Sequence, residues 1–161
     1  MSRESYPSTA AIRSLKAAGV AFSPHLYRYV EHGGTQTSAQ ALGVSEHCVV
    51  KTLIMEDHLA HPLIVLMHGD HEVSTRALAR QIGVRSVTPC RADVAERHSG
   101  YRVGGTSPFG TRHSMKVYMQ STLLELEKVY INGGARGFLV GLSPHEIVRL
   151  LSPQLVDVER D

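Results

Sequence analysis

The run Cys48-Val-Val-Lys-Thr-Leu-Ile-Met55, the polar connection Glu56–His61 and the second run Pro62-Leu-Ile-Val-Leu-Met67 decide the fold class of this chain. Both runs are strand-sized and rich in β-branched residues, and the short polar stretch between them suits a hairpin. Alternation along the first strand puts Lys51 and Leu53 on one face and Val50, Thr52 and Ile54 on the other. A lysine inside so apolar a run must find an anion, line a cleft or guard a sheet edge, because burying an unpaired ammonium is costly.

Outward from this hairpin, helix and strand signals alternate without repeats. Upstream, Ser8 caps a predicted helix through Ala18, with Ala11, Ile12, Leu15 and Ala18 at helical spacing and Gly19 as its stop. Phe22–Val30 reads as a strand interrupted by Pro24, His32–Thr35 as a loop, and Thr37 or Ser38 as the start of a helix ending at Gly43. Downstream, Ser74 caps a helix through Ile82, followed by a short strand at Arg85–Thr88 and a helix at Arg91–His98. Lys116–Met119 is strand-like and Thr122–Glu127 helical. Val129–Asn132 and Gly137–Leu142 form a strand pair, Ser143 caps a helix to Leu151, and Leu155–Val158 closes as a strand. Hairpin-like neighbours among mixed elements predict a mixed α+β fold, with a largely antiparallel sheet wrapped by helices.

At 161 residues, the chain reads as one domain, 1–161, large enough to hold a core without disulfide or metal staples. Its hydrophobic and charged fractions, 42% and 20%, exclude extended disorder. No apolar run reaches membrane-spanning length, and Met1–Pro7 lacks the apolar core of a signal peptide. Two cysteines, Cys48 and Cys90, fit a reducing compartment, so a cytoplasmic location is expected. The net charge of +2 is unevenly spread. Between Arg76 and Lys116 eight basic residues face only Asp93 and Glu96, a local charge of +6 against −4 elsewhere. Such a segment suits a phosphate-bearing partner or a solvated arginine face.

Two glycine-rich loops, Gly100-Tyr-Arg-Val-Gly-Gly-Thr-Ser-Pro-Phe-Gly110 and Asn132-Gly-Gly-Ala-Arg-Gly137, are candidate cradles. Paired glycines let backbone approach a ligand and turn N–H groups toward an anion, and Thr106 and Ser107 add hydroxyls. This makes Gly104, Gly105, Thr106, Ser107, Asn132, Gly133 and Gly134 candidate substrate-binding residues. Neither loop matches a dinucleotide or Walker pattern. His58-x-x-His61 and His68-x-x-His71 fall in predicted turns with no carboxylate or cysteine at a known ligand spacing, so they read as surface histidines and no metal or cofactor is expected. Cys48 and Cys90 lack a catalytic context and read as buried thiols.

These pieces, in this order, resemble the free-standing YbaK/EbsC family, relatives of the editing domain inserted in bacterial prolyl-tRNA synthetases. The resemblance runs through the strand around Phe22–Tyr27, Val50-Lys51-Thr52-Leu53, Gly100-Tyr101-x-Val103-Gly104-Gly105-x-Ser107-Pro108-x-Gly110 and Tyr130-x-x-Gly133-Gly134-x-Arg136-Gly137. It implies a single mixed α/β domain around a highly curved sheet, and hydrolysis of mischarged aminoacyl-tRNA, typically Cys-tRNA(Pro). By position it implies Lys51 as the essential catalytic lysine, Thr52 as its pocket neighbour, Tyr27 as a pocket aromatic, and Gly104 as the glycine whose backbone meets the aminoacyl ester. Asn132 stands where several cysteine-specific members carry serine, and His32–Thr35 offers no counterpart of a second pocket aromatic. Implied partners are the aminoacyl-tRNA acceptor end and, transiently, prolyl-tRNA synthetase. A water-dependent deacylase for another amino acid such as alanine, and a non-catalytic module binding tRNA or a synthetase, are the alternatives.

Overall fold

The computed structural model describes residues 5–160, so the reading of Met1–Glu4 lies outside it. Strands β1 (Ser23–Leu26), β2 (Val49–Asp57), β3 (Pro62–His68), β5 (Val87–Pro89), β6 (Lys116–Gln120), β7 (Val129–Ala135), β8 (Phe138–Leu142) and β9 (Gln154–Val156) share one sheet. The order is β1-β8-β7-β2-β3-β6-β9, with β5 added beside β2. Strand β4 (Glu72–Val73) pairs separately with β10 (Glu159–Arg160). The β2–β3, β7–β8, β1–β8 and β2–β5 contacts are antiparallel, whereas β2–β7, β3–β6 and β6–β9 are parallel. The sheet is mixed and mostly antiparallel, as the hairpin pattern predicts.

Strand β3 is buried on both faces, which is why it reads as an uninterrupted apolar run. Ile64 and Leu66 join a core with Val50, Ile54, Ile131 and Val140 beneath α1 (Ala10–Ala17) and α5 (Pro144–Leu151). Leu63, Val65 and Met67 face the other way, toward Leu78 and Ala79 of α3 (Thr75–Ile82). A smaller cluster joins Val49 and Leu139 to Ala39 of α2 (Gly34–Leu42). Helix α4 (Ala92–Ser99) completes the set.

Several boundaries differ from the sequence expectation for physical reasons. Thr9, not Ser8, caps α1: its hydroxyl accepts from Ile12 N–H at 3.1 Å and also donates to the Gly133 carbonyl, so a tertiary bond selects the cap. The expected strand Phe22–Val30 is paired only over Ser23–Leu26. Helix α2 begins at Gly34, without a side-chain cap, and Thr122–Glu127 is replaced by a 3₁₀ turn at Ser121–Glu125. Cys48 belongs to a 3₁₀ turn over Glu46–Cys48 rather than to β2. The short β4–β10 pairing escaped the sequence reading altogether, since two-residue strands carry no periodicity.

Candidate active site

The sheet has a gap beside β2. On its β7 side, β2 pairs only through Val49 and Val50, with Tyr130 and Ile131. It then pairs with β5 from Met55 to Asp57. Between these ladders the edge of Lys51, Thr52 and Leu53 has no strand partner among the described residues, and a cleft of about 1520 Å³ opens there. Buried backbone groups need partners, so such an edge is suited to hydrogen-bonding a guest or ordered water.

Lys51 lies on this cleft with its side chain 21% exposed. Its ammonium donates to the His71 carbonyl at 2.7 Å and stands 3.8 Å from Glu72 Oε1. An ammonium has three donors, so this tether orients it without exhausting it. Thr52, on the opposite face of the strand, also lines the cleft, and its buried Oγ1 has no hydrogen-bond partner among the described residues.

Opposite β2 the wall is built from both glycine-rich loops. Gly104 sits at φ +91°, and a Cβ there would stand 2.7 Å from the Tyr29 hydroxyl. Its carbonyl accepts from Asn132 Nδ2 at 3.3 Å, while Asn132 Oδ1 accepts from the N–H groups of Gly134 at 2.7 Å and Ala135 at 3.1 Å. Arg136 Nε donates to the Val103 carbonyl at 2.9 Å, and its guanidinium lies 5.0 Å over the Tyr29 ring. The loops therefore clasp each other, with Asn132 and Arg136 as the pins.

This clasp corrects the cradle expectation. Tyr27, Lys51, Thr52, Gly104, Thr106 and Asn132 come together along the cleft; Gly105, Ser107, Gly133 and Gly134 do not line it. Gly105 is where the loops touch, since a Cβ there would meet Arg136 N at 2.7 Å and Ala135 C at 2.8 Å. Its N–H donates to the Arg102 carbonyl, as that of Gly134 does to Asn132, so neither is free for an anion. A Cβ on Gly133 would meet the Phe138 ring, and one on Gly134 would meet Tyr101 and Thr9. Ser107 is fully buried, and its hydroxyl accepts from Phe109 N–H at 3.1 Å. Tyr101 and Phe109 sink into the core, and the Tyr101 hydroxyl donates to the Phe109 carbonyl. Burial pushes that phenol up to about 12, which keeps it a donor.

Tyr27 follows β1, donates its backbone N–H to the Gly137 carbonyl at 2.9 Å, and has its phenol raised chiefly by burial. Tyr29 also lines the cleft. It adds a second aromatic to the cleft wall beside Tyr27, outside the His32–Thr35 loop. The Tyr27-x-Tyr29 spacing, which places two rings on one side of an extended chain, was its only local sign.

Neither thiol is activated. Cys90 borders the cleft, but burial and the neighbouring Glu56 charge hold it at about 11. Cys48 is also raised by burial, and its Sγ donates to the Ser45 carbonyl. Of the basic segment, Arg76 reaches the cleft and joins Arg80 and Arg85 around an adjoining hollow of about 290 Å³. Arg91 is instead drawn toward Asp93, at 3.3 Å. The His68-x-x-His71 pair is no exposed turn pair: His68 is fully buried at the end of β3, with both ring nitrogens engaged by the His47 carbonyl and the Thr122 hydroxyl. No helix among the described residues is long and apolar enough to cross a membrane.

Comparison with known proteins agrees with this architecture. The chain is 23% identical over 157 residues to the "Putative Cys-tRNA(Pro)/Cys-tRNA(Cys) deacylase EbsC" of Enterococcus faecalis (strain ATCC 700802 / V583), covering 97% of this chain and 96% of that one. It superimposes on the crystal structure of hypothetical protein APE2540 with a TM-score of 0.86 and 28% identity, covering 94% and 99% of the two chains. A structure described as "a putative trans-editing enzyme for prolyl tRNA synthetase" shares the fold at a TM-score of 0.82 and 21% identity, over 97% of this chain and 100% of that chain. The aminoacyl-tRNA editing domain model matches residues 33–150, a span that holds Lys51, Thr52, Gly104 and Asn132 but not Tyr27 or Tyr29. With most of its length inside that match, the chain belongs to the aminoacyl-tRNA editing domain family.

Proposed function

We propose that this protein is a trans-editing deacylase that clears mischarged tRNA, that Cys-tRNA(Pro) is its substrate, and that the substrate's own thiol is the nucleophile. The observation that carries the reading is a cleft with a tethered ammonium and, among the described residues, no activated thiol. Cys90 is held protonated at about 11, and Lys51 is the cation on the open edge of β2. An aminoacyl ester is already activated, so orientation and charge stabilisation supply most of what its cleavage needs.

In this reaction the cysteinyl sulfur attacks the ester carbonyl and the bond to the ribose oxygen breaks. The thiol proton passes to that oxygen, leaving a cyclic thiolactone and free tRNA. Well-oriented intramolecular attack reaches effective molarities of about 10⁵ M or more. The Lys51 ammonium would stabilise the developing oxyanion or the attacking thiolate, since an opposite charge at close range favours the ionised form. Tyr27, Tyr29 and Gly104 would frame the aminoacyl group and terminal base. Arg76, Arg80 and Arg85 would take acceptor-stem phosphates, with a corresponding salt dependence.

A water-dependent deacylase suited to alanine is the rival chemistry. Rapid-quench analysis of the first product on Cys-tRNA(Pro) separates the two. Thiolactone is expected. Free cysteine with no thiolactone, together with rapid cleavage of Ala-tRNA(Pro), would replace the sulfur route with water, and binding without turnover of any mischarged tRNA would leave only the non-catalytic module.

A further inference from the structure

The turn that tethers Lys51 gathers a second constellation, which the deacylation chemistry above does not use. His47 Nδ1 stands 3.0 Å from Asp70 Oδ1, and His71 Nε2 stands 3.7 Å from the same oxygen. The three ligand-type atoms all lie within 4.8 Å of one another. Zinc-class ions hold imidazole nitrogen and carboxylate oxygen at about 2.0–2.2 Å, so donor atoms on a tetrahedron around one lie about 3.4 Å apart. The two measured spacings bracket that edge.

Tertiary structure fixes this convergence. His47 comes from the 3₁₀ turn before β2, whereas Asp70 and His71 come from the turn after β3. The Gly69 N–H ties the two together by donating to the Val49 carbonyl at 2.6 Å. Beneath His47 lies the buried His68 ring, stacked at 3.8 Å between centroids and 7° between planes. Because a carbonyl can only accept, His68 Nδ1–H donates to the His47 carbonyl, and Nε2 accepts from the Thr122 hydroxyl. His68 is thus spent as a support that orients its neighbour, in the manner of groups behind metal ligands. Glu159 Oε2, 4.0 Å from His71 Nε2, supplies a further oxygen at the rim.

We propose that His47, Asp70 and His71 bind one borderline divalent cation of the zinc class. Two imidazoles and a carboxylate suit such ions and not magnesium or calcium, which prefer all-oxygen shells. The bound ion braces the turn whose His71 carbonyl holds Lys51. The proposal stands whether or not the deacylase reading does, since it concerns binding alone.

The test is calorimetric titration of the untagged full chain with Zn²⁺, with Co²⁺ absorption spectra and thermal melts beside it. One equivalent should bind at micromolar or tighter affinity, give the intense visible bands of a four- or five-coordinate Co²⁺ site, and raise the melting midpoint by several degrees. Asp70→Asn, at an exposed position, should weaken binding at least tenfold, and His71→Gln should abolish it. The double variant His58→Gln with His61→Gln should bind like wild type. Binding that is absent or millimolar, that is unchanged in folded Asp70→Asn, or that disappears in the His58/His61 variant overturns the proposal. Should His71→Gln fail to fold, Asp70→Asn decides.

Discussion

The Lys51 ammonium is hydrogen-bonded at 2.7 Å to the backbone carbonyl of His71, twenty residues along the chain and on the turn leaving the neighbouring strand. A carbonyl partner orients the cation without neutralising it, and Glu72 at 3.8 Å, 65% exposed, is too solvated to do so. This geometry gives the position its sharpest test. Lys51→Met keeps the apolar stem along β2 and deletes the charge together with the bond to the His71 carbonyl. Deacylation should fall by about 100-fold or more, the scale of losing one electrostatic contact to a developing oxyanion. The melting midpoint should move little. Near-wild-type turnover in single-turnover assays would remove Lys51 from the chemistry.

Gly104 and Gly105 should respond differently, although they are neighbours. A methyl group on Gly104 enters the cleft against the Tyr29 hydroxyl, and its φ of +91° adds strain of about 1–3 kcal/mol. Gly104→Ala should therefore raise KM and slow turnover in a chain that still melts cooperatively. Gly105→Ala forces a Cβ against Arg136 N and Ala135 C, both backbone, so the loops must part. It should lower the melting midpoint more than Gly104→Ala does. Chemical denaturation and steady-state kinetics on both variants check the contrast, and the reverse ranking would contradict the clasp.

Asn132 is pinned in two directions. Asn132→Ala leaves the N–H groups of Gly134 and Ala135 without their acceptor, a loss of about 1–3 kcal/mol, and also frees the Gly104 carbonyl. Asn132→Asp keeps the acceptor but replaces the donor to Gly104 with a carboxylate oxygen that faces the Gly104 carbonyl. The aspartate variant should retain most of the stability that the alanine variant loses. Urea midpoints measure this directly, and equal losses would mean that the Gly104 bond dominates.

Cys90 supplies a pH test. Its native thiol is raised from 9.0 to about 11, so the folded chain keeps a proton that the unfolded chain releases as pH climbs through that window. Stability linked to Cys90 therefore falls as pH rises from 9 toward 11. Iodoacetamide should modify native Cys90 slowly at pH 8, with a rate still climbing near pH 10, whereas in denatured chain the rate levels off earlier. The double variant Cys48→Ser with Cys90→Ser should keep full activity on Cys-tRNA(Pro). Loss of activity in a folded double variant would return the nucleophile to the protein.

Local signals in the sequence carry much of the fold. The β2–β3 hairpin, the pairing of β7 with β8, and the serine caps of α3 and α5 all depend on residues within a few positions of one another. Lys51 is conspicuous for the same reason, as a charge in an apolar run. The glycine-rich loops are equally visible, but their use is not. Glycine content announces conformational freedom, whereas the burial of Tyr101, Ser107 and Phe109 determines which side of the first loop meets the cleft.

Local sequence therefore accounts for the longer strands, the mixed and mostly antiparallel character of the sheet, and the one lysine that the core cannot simply absorb. Tertiary structure decided the cleft, because the gap beside Lys51 exists only where β5 and β7 each cover part of β2 and stop short of meeting. It also decided the partnership of His47 with Asp70 and His71, which join across more than twenty residues only when β2 and β3 lie side by side. Periodicity reports which face of an element is buried. Which distant edges and turns then converge depends on how the layers pack, and no local pattern encodes that.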